Sequence, residues 1–512
     1  PARAQTVGCV YYGFKSDGTI TPLKGSVPAT VVESDMTTWK GIWYVVDHDV
    51  TFNGFITVQG AASLILADGC KLTSANEIIV NEGSSLTIYG QEEGTGALSV
   101  RGSRQYAAIG GEPGENCGSI TIHGGNITAD AGTTGSGAGI GGGKGGNGGE
   151  ITIYGGTVTA TGGTGPVSGA GIGGGNGGSG GTIEIYGGTV IATGGWHGAG
   201  IGGGSGGSGG KITIHGGNVT ATGHSDAGYG AGIGGGNGGS SGTITITGGT
   251  VRANGSYFGG AGIGGGRGSG GDTITITGGM VTANGGSNYG LISAGIDGST
   301  FSTGEDGNAI IYANSINAGG DPSQWSGIIF QGSSGQVYGD QTLAEDFTVE
   351  KNRTLTIADR AGLTVPKEIT LTNKGTMPVT GSGILTNHGT LDNREGLVTI
   401  AGEDSVVSDG QIIKGPQSTP AAGEGYAIDY EEETITIKSG YEAFTAQSGG
   451  TEIPSGDISG SLGQTFYIRK AEYITQNSSD WADLPIPARR EAPAPPQGTN
   501  RADTAINISP EG

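Results

Sequence analysis

Between residues 119 and 299 the chain repeats one pattern six times, and few folds accept such a repeat. The clearest copy runs Glu150-Ile-Thr-Ile-Tyr-Gly-Gly-Thr-Val-Thr-Ala-Thr-Gly162 and then Gly169-Ala-Gly-Ile-Gly-Gly-Gly-Asn-Gly-Gly178. The first isoleucine of each copy falls at Ile120, Ile151, Ile183, Ile212, Ile244 and Ile274. A fixed period of roughly thirty residues marks a solenoid or an array. An earlier, weaker copy begins at Leu86-Thr-Ile-Tyr-Gly90. In Ile151-Thr-Ile153 the isoleucines share one face and Thr152 takes the other, because strand side chains alternate. Val158-Thr-Ala160 and Ala170-Gly-Ile172 alternate in the same way. Three short strands with one apolar face each, joined by Gly-Gly bends, describe one coil of a parallel β-helix. Stacked coils put Ile122, Ile153, Ile185, Ile214, Ile246 and Ile276 on one internal ladder, and Ile140, Ile172, Ile201, Ile233, Ile263 and Ile296 on another.

The competing folds fail on composition. The 115 glycines argue against helix, since each costs about 1 kcal/mol in a helix interior. Collagen needs strict Gly-X-Y and abundant proline, and neither is present. A polyproline-II bundle accommodates the glycine runs and leaves the Ile-Thr-Ile strands unexplained. The formal charge of −22 argues against a polyphosphate binder, which needs a basic face, so neither nucleic acid nor an anionic membrane is expected as a partner. No stretch is apolar enough for membrane insertion, and no signal peptide is seen. The abrupt start at Pro1 leads us to expect a processed or trimmed chain. Cys9, Cys70 and Cys117 lack metal-ligand spacing and read as buried or singly paired thiols. No cofactor and no metal are expected.

Read in order, residues 1–41 form an irregular N-terminal cap with Tyr11, Tyr12 and Trp39 as core contacts. Residues 42–335 form the glycine-rich parallel β-helix, entered through strands such as Trp43-Tyr-Val-Val46 and Phe55-Ile-Thr-Val58. Residues 336–416 continue it with shorter coils, for example Thr354-Leu-Thr-Ile357 and Gly362-Leu-Thr-Val365. Handedness follows the rule for parallel crossovers, giving a right-handed solenoid. Thr434-Ile-Thr-Ile437 and Thr465-Phe-Tyr-Ile-Arg469 suit a small immunoglobulin- or fibronectin-like β-sandwich over 417–490. Residues 491–512 read as a proline-rich linker and the start of a further, truncated module. The expected class is all-β, a right-handed parallel β-helix followed by a small β-sandwich.

Trp43-Tyr-Val-Val46, Ser63-Leu-Ile-Leu-Ala-Asp-Gly69, Ser85-Leu-Thr-Ile-Tyr-Gly90 and the Ala-Gly-Ile-Gly-Gly-Gly copies together resemble a known kind of protein. They are similar to the glycine-rich β-helix surface proteins of gut Gram-positive bacteria, which have a pectin-lyase-like fold and are often labelled carbohydrate-binding. Tyr467-Ile-Arg-Lys-Ala-Glu472, Trp481 and Ile486-Pro-Ala-Arg489 resemble the small sandwich modules of such proteins. The resemblance implies an extracellular, surface-attached or secreted protein. It says more about architecture than activity, because the same fold carries polysaccharide lyases and hydrolases.

Three exposed stripes follow from the stacking. Tyr89, His123, Tyr154, Tyr186 and His215 follow the Ile-Thr-Ile strands, then Thr247 and Thr277. Their regularity favours a structural ring stack over faces offered to sugars. The second stripe, with Thr159, Thr161, Thr220 and Thr222, resembles an ice-binding face, but Asp130, Ile191, Arg252, Asn254 and Asn284 interrupt it, and threonine suits any exposed strand. The third is the variable loop before each Ala-Gly-Ile: Trp196 and His197, then His224, Asp226 and Tyr229, then Tyr257 and Phe258, then Tyr289. These loops either pack on one another or line a groove whose aromatic faces bind a glycan.

The favoured function is therefore a non-catalytic, adhesin-type module binding a glycan, such as a host or cell-wall polysaccharide. A polysaccharide-active enzyme, a glycoside hydrolase or lyase, and a purely structural stalk are the alternatives. Hydrolysis needs two carboxyls about 5 to 10 Å apart across a groove. The array offers few acids; Glu184 and Asp226 are the catalytic candidates, and no aspartate cluster accompanies them. The sequence does not speak to the oligomeric state.

Overall fold

The computed structural model describes residues 4–14, 20–226, 228–288, 291–304, 306–401, 405–414, 426–429, 434–438, 441–444, 452–457, 466–470 and 482–484. The chain divides into two compact units, residues 1–332 and 333–512. Among the described residues the one helical element is a 3-10 turn at Pro322–Gln324.

The first unit is a parallel β-helix. One copy of the repeat supplies Glu150–Ile153, Thr157–Thr161 and Ile172–Gly173, and each strand pairs in parallel with its counterparts in the coils above and below. We call the three walls the Ile-Thr-Ile, Val-Thr-Ala and Ile-Gly sheets. The Ile-Thr-Ile sheet has 12 strands and the Ile-Gly sheet 11. Register is strict: Ile120, Ile151, Ile183, Ile212, Ile244 and Ile274 are successive partners. All of them are fully buried, as are Ile153, Ile185, Ile172, Ile201, Val158 and Ala160. Each buried isoleucine contributes about 1.5–3 kcal/mol, which offsets the ordering of a glycine-rich backbone.

Glycine is required at the Ile-Gly corner for two reasons. Gly173 has φ +130°, and a Cβ there would sit 2.1 Å from the carbonyl oxygen of Gly202 in the next coil. Gly141 repeats this, with φ +132° and a clash at 2.0 Å against Gly173. The corner backbones touch rung on rung, and any side chain would force the coils apart.

The N-terminal segment differs from the irregular cap expected of it. Ala4–Phe14 and Ile20–Val31 form an antiparallel hairpin, and Thr30 and Val31 then pair in parallel with Tyr44 and Val45. Val10 donates to the Gly90 carbonyl at 3.0 Å, so the hairpin also folds over the early coils. Its core is Val7, Cys9, Ala29, Val31, Val45 and Ile65. Trp39 is fully buried as expected, but Tyr11 is 36% exposed and is not a core residue. Tyr12 lies in the strand, and its side chain is outside the described residues. The pattern hid the hairpin because Gly8, Gly13, Pro22, Gly25 and Pro28 interrupt its alternation. Cys9, Cys70 and Cys117 are all free thiols. Burial pushes Cys117 up to about 12, and burial followed by Asp49, Asp47 and Asp68 raises Cys70. None is an activated thiolate.

The second unit also stacks parallel strands. Ser334–Tyr338, Thr354–Ile357, Thr376–Val379 and Leu397–Ile400 form one wall. Two further walls of four strands each run Asp340–Thr342 to Val406–Ser408 and Phe347–Val349 to Gln411–Lys414. Leu355, Leu363, Leu371, Leu385 and Leu391 fill the interior. Asn373 and Asn393 are also buried there, joined by a 2.7 Å hydrogen bond. From Tyr426 onward the described strands pair antiparallel, in a three-stranded and a four-stranded sheet. Antiparallel pairing is thus established here, and the face-to-face sandwich stays a proposal. Residues 491–512, read as linker and further module, lie outside the described residues.

Two substitutions separate the forces in this fold. Ile153→Asp buries an unpaired charge and is expected to abolish the cooperative unfolding transition of the first unit. Gly173→Ala, with both a clash and positive φ, is expected to destabilise by several kcal/mol. Gly206→Ala, at φ +80° with nothing within 4 Å, carries only the conformational cost of about 1–2 kcal/mol. Equal urea midpoints for the two glycine variants would refute the rung-contact argument.

Candidate functional site

Two aromatic arrays run along the first unit, and they use their rings differently. On the Ile-Thr-Ile wall, Trp43, Tyr89, His123, Tyr154, Tyr186 and His215 stack in single file. Ring centroids are 4.8, 4.9, 4.9, 5.0 and 4.3 Å apart in that order. From Tyr89 onward, adjacent ring planes lie within 18° of parallel. The coil spacing of about 4.8 Å sets this distance, so each ring's faces are spent on its neighbours. The array presents edges and polar tips outward. The Tyr186 hydroxyl donates to Glu184 Oε2 at 3.1 Å. Burial, then the Glu184 contact, pushes Tyr186 up to about 12. Burial alone lowers His123 to about 4.

The second array lies on the edge formed by loops that join the Val-Thr-Ala strands to the Ile-Gly strands. Successive loops are bonded to one another. Tyr229 N–H donates to the Trp196 carbonyl at 2.9 Å, Tyr257 N–H to that of His224 at 3.3 Å, and Phe258 N–H to that of Gly228 at 2.9 Å. The residues named from sequence are therefore brought together, with one exception: Tyr289 lies outside the described residues.

These residues sort into two rows. The inner row is His197, Tyr229 and Phe258, half-buried, with centroids 5.0 and 5.7 Å apart. The outer row is Trp196, His224 and Tyr257. Trp196 is 39% exposed and meets His224 edge-on, with centroids 6.1 Å apart. Tyr257 is 45% exposed and stands perpendicular to Phe258 at 5.1 Å. The inner row packs within the edge, as loop-on-loop packing requires, while Trp196 and Tyr257 stay open to solvent. Asp226 is exposed, with its N–H donating to His224 Nδ1 at 3.3 Å. Burial lowers both His197 and His224, and the Asp226 charge partly restores the latter.

The glycine turns supply a third row that the sequence reading missed. The backbone N–H groups of Asn176, Ser205, Asn237 and Arg267 donate to the carbonyls of Ser136, Ser168, His197 and Tyr229 at 2.7 to 2.9 Å. This sets amide, hydroxyl and guanidinium groups beside the inner aromatic row. Arg267 lies over Tyr229, 4.9 Å from the ring centroid. Its methylenes cross Gly259, where a Cβ would fall 3.3 Å from Arg267 Cγ. The available signal was the variable residue in each Gly-Gly-Gly-x-Gly turn: Lys144, Asn176, Ser205, Asn237 and Arg267.

The catalytic candidates are not brought together. Glu184 sits on the Ile-Thr-Ile wall between the Thr152 and Thr213 rungs, and Asp226 sits on the loop edge. Among the described residues no three His, Cys, Asp or Glu side chains gather as metal ligands would. No helix among them is long and apolar enough to cross a membrane.

A family model described as Beta helix repeat matches residues 120–144, 151–176, 183–205, 212–237, 244–267 and 274–300. No curated protein and no solved structure matches the chain. The six segments coincide with the six coils of the array, so repeat family and geometry agree on a pectin-lyase-like β-helix scaffold.

His123 makes the ring stack sensitive to acid. Its pKa is about 4 in the fold against 6.5 unfolded, so the unfolded chain takes up a proton first as pH falls. The stabilisation is complete above 6.5, is lost as pH falls from there to about 4, and changes no further below. His123→Phe keeps the stack and removes the proton. The variant is expected to lose less stability than the parent between pH 7 and pH 4 in urea titrations; identical losses would contradict this.

Proposed function

We propose that the protein is a non-catalytic glycan-binding β-helix, displayed outside the cell, that holds a polysaccharide along the loop edge of its first unit. The observation that carries this reading is the outer row. Trp196 and Tyr257 stay open to solvent beside the packed inner row of His197, Tyr229 and Phe258. Large aromatic faces held by neighbouring loops offer stacking area at little cost in conformational entropy. Asn237, Ser205 and Arg267 border the same edge with donors for sugar hydroxyls. The separation of Glu184 from Asp226 supports binding without hydrolysis. The expected extracellular location rests on the resemblance to gut bacterial surface proteins.

A glycan array read alongside product analysis on pectins, fructans and mucin glycans tests the class. Retention without released oligosaccharides is expected; released products would replace this reading with that of an enzyme. Trp196→Ala and Tyr257→Ala are each expected to weaken retention roughly five- to tenfold, about 1 kcal/mol, with melting unchanged. Tyr154→Ala and Tyr186→Ala, on the stacked wall, should leave binding as it is. The opposite pattern would move the site to that wall.

A further inference from the structure

Arg267 is held on the loop edge without an acid to neutralise it. Its guanidinium lies over the Tyr229 ring, 4.9 Å from the centroid, and its backbone N–H donates to the Tyr229 carbonyl at 2.8 Å. Its methylenes cross Gly259, whose missing side chain leaves them room. The residue is exposed, and among the described residues no carboxylate pairs with it. The acids that flank it in the sequence, Asp226 and Asp272, are already hydrogen-bonded. Asp226 Oδ1 accepts from Ser225 Oγ at 2.8 Å. Asp272 Oδ2 accepts from Ser240 Oγ at 2.8 Å and from the Gly242 N–H at 3.1 Å.

The free part of this group is its rim. One face rests on Tyr229, and the N–H donors lie in the plane of the guanidinium, in a fork that matches two oxygens of one acid group. A neutral sugar hydroxyl uses these donors singly, whereas a carboxylate or sulfate takes two at once and adds charge attraction. The stacked side chain is already ordered, so pairing with it costs little further conformational entropy. The chain's overall charge of −22 opposes an anion at long range. At physiological salt, however, exposed charges are screened beyond about 8 Å, so a direct ion pair decides at contact distance.

Arg267 also lies near an open ring. Gly259, which its methylenes cross, comes two residues after Tyr257, and two residues span at most about 7 Å. A sugar stacked on Tyr257, or its neighbour along the glycan, can thus present a substituent to the guanidinium. We propose that the glycan held on this edge is acidic, and that Arg267 selects it by pairing with a carboxylate or sulfate carried by a sugar at or next to Tyr257. The proposal rests on the glycan-binding reading and adds the charge class of the ligand. Uronates, sialates and sulfate esters share this chemistry.

The test uses the full chain with two matched pairs of probes. Homogalacturonan is set against its fully methyl-esterified form, and mucin O-glycans are set against the same glycans stripped of sialic acid and sulfate. In at least one pair the parent is expected to bind the acidic member at least about tenfold more tightly at low salt, with the preference shrinking as salt rises. The pair that shows it separates a uronate from a sialate or sulfate. Arg267→Met keeps methylenes over Gly259 and removes the charge. It should bring the acidic member down to the affinity of the neutral one and leave the neutral member and the melting temperature unchanged. Arg267→Lys, which keeps the charge and loses the planar fork, should fall between the two. Trp196→Ala should weaken both members alike. If the parent bound acidic and neutral members equally while Trp196→Ala weakened both, the charge preference would be wrong and the glycan reading would stand. An Arg267→Met variant with the parent's full preference would also remove Arg267 as its source. Failure of the parent to bind any probe would remove both readings.

Discussion

The contact on which this structure depends is backbone against backbone at the Ile-Gly corner. Gly110, Gly141, Gly173, Gly202 and Gly234 all have φ between +130° and +142°. Each would drive a Cβ to within about 2 Å of the next coil's carbonyl. In this run of coils only glycine takes that backbone and lets them close to strand spacing; the flanking rungs carry Ile79 and Asp297 instead. Once they do, every other position in the repeat is set one rung above its counterpart. The isoleucine ladders, the ring stack and the loop edge all follow from that shared spacing.

The same constraint explains why variation is confined. A residue on an inward ladder is surrounded by its own kind above and below, so a change there disturbs two neighbours. The loops before Ala-Gly-Ile are different. They leave the corner after the Val-Thr-Ala strand and return before the Ile-Gly strand, and their length is free as long as both ends stay in register. The segments 162–171, 194–200 and 223–232 differ in length and composition while the strands flanking them pair residue for residue. Side chains with chemistry to offer therefore collect on one edge.

The two aromatic arrays show what the spacing does to function. Rings that project straight from adjacent rungs, such as Tyr154 and Tyr186, meet face to face and leave no face for a ligand. Rings on loops are offset by the loop path. Trp196 meets His224 edge-on and Tyr257 meets Phe258 edge-on, and both Trp196 and Tyr257 keep solvent exposure. A chain that carries a charge of −22 overall keeps Arg267 on this edge, held by Tyr229. That combination of open rings and fixed donors suits a polar, ring-containing ligand.

The sequence by itself determined the coil, because its period, its inward isoleucines and its corner glycines each have one physical use in a stacked solenoid. It also determined the Tyr89-to-His215 stack, since equal spacing along a strand-end position leaves the rings nowhere else to go. It was silent where the outcome hangs on which coil lies next to which. Whether His197, Tyr229 and Phe258 turn inward while Trp196 and Tyr257 stay open depends on the route of each loop over its neighbour. The meeting of Arg267 with Tyr229 joins a glycine turn to a loop of the preceding coil. The contact of the Phe55 and Tyr106 rings joins residues separated by more than a full coil. The antiparallel N-terminal hairpin was likewise hidden, because its glycines and prolines break the alternation that pairing restores. These contacts are made across rungs, and only the tertiary structure places the rungs side by side.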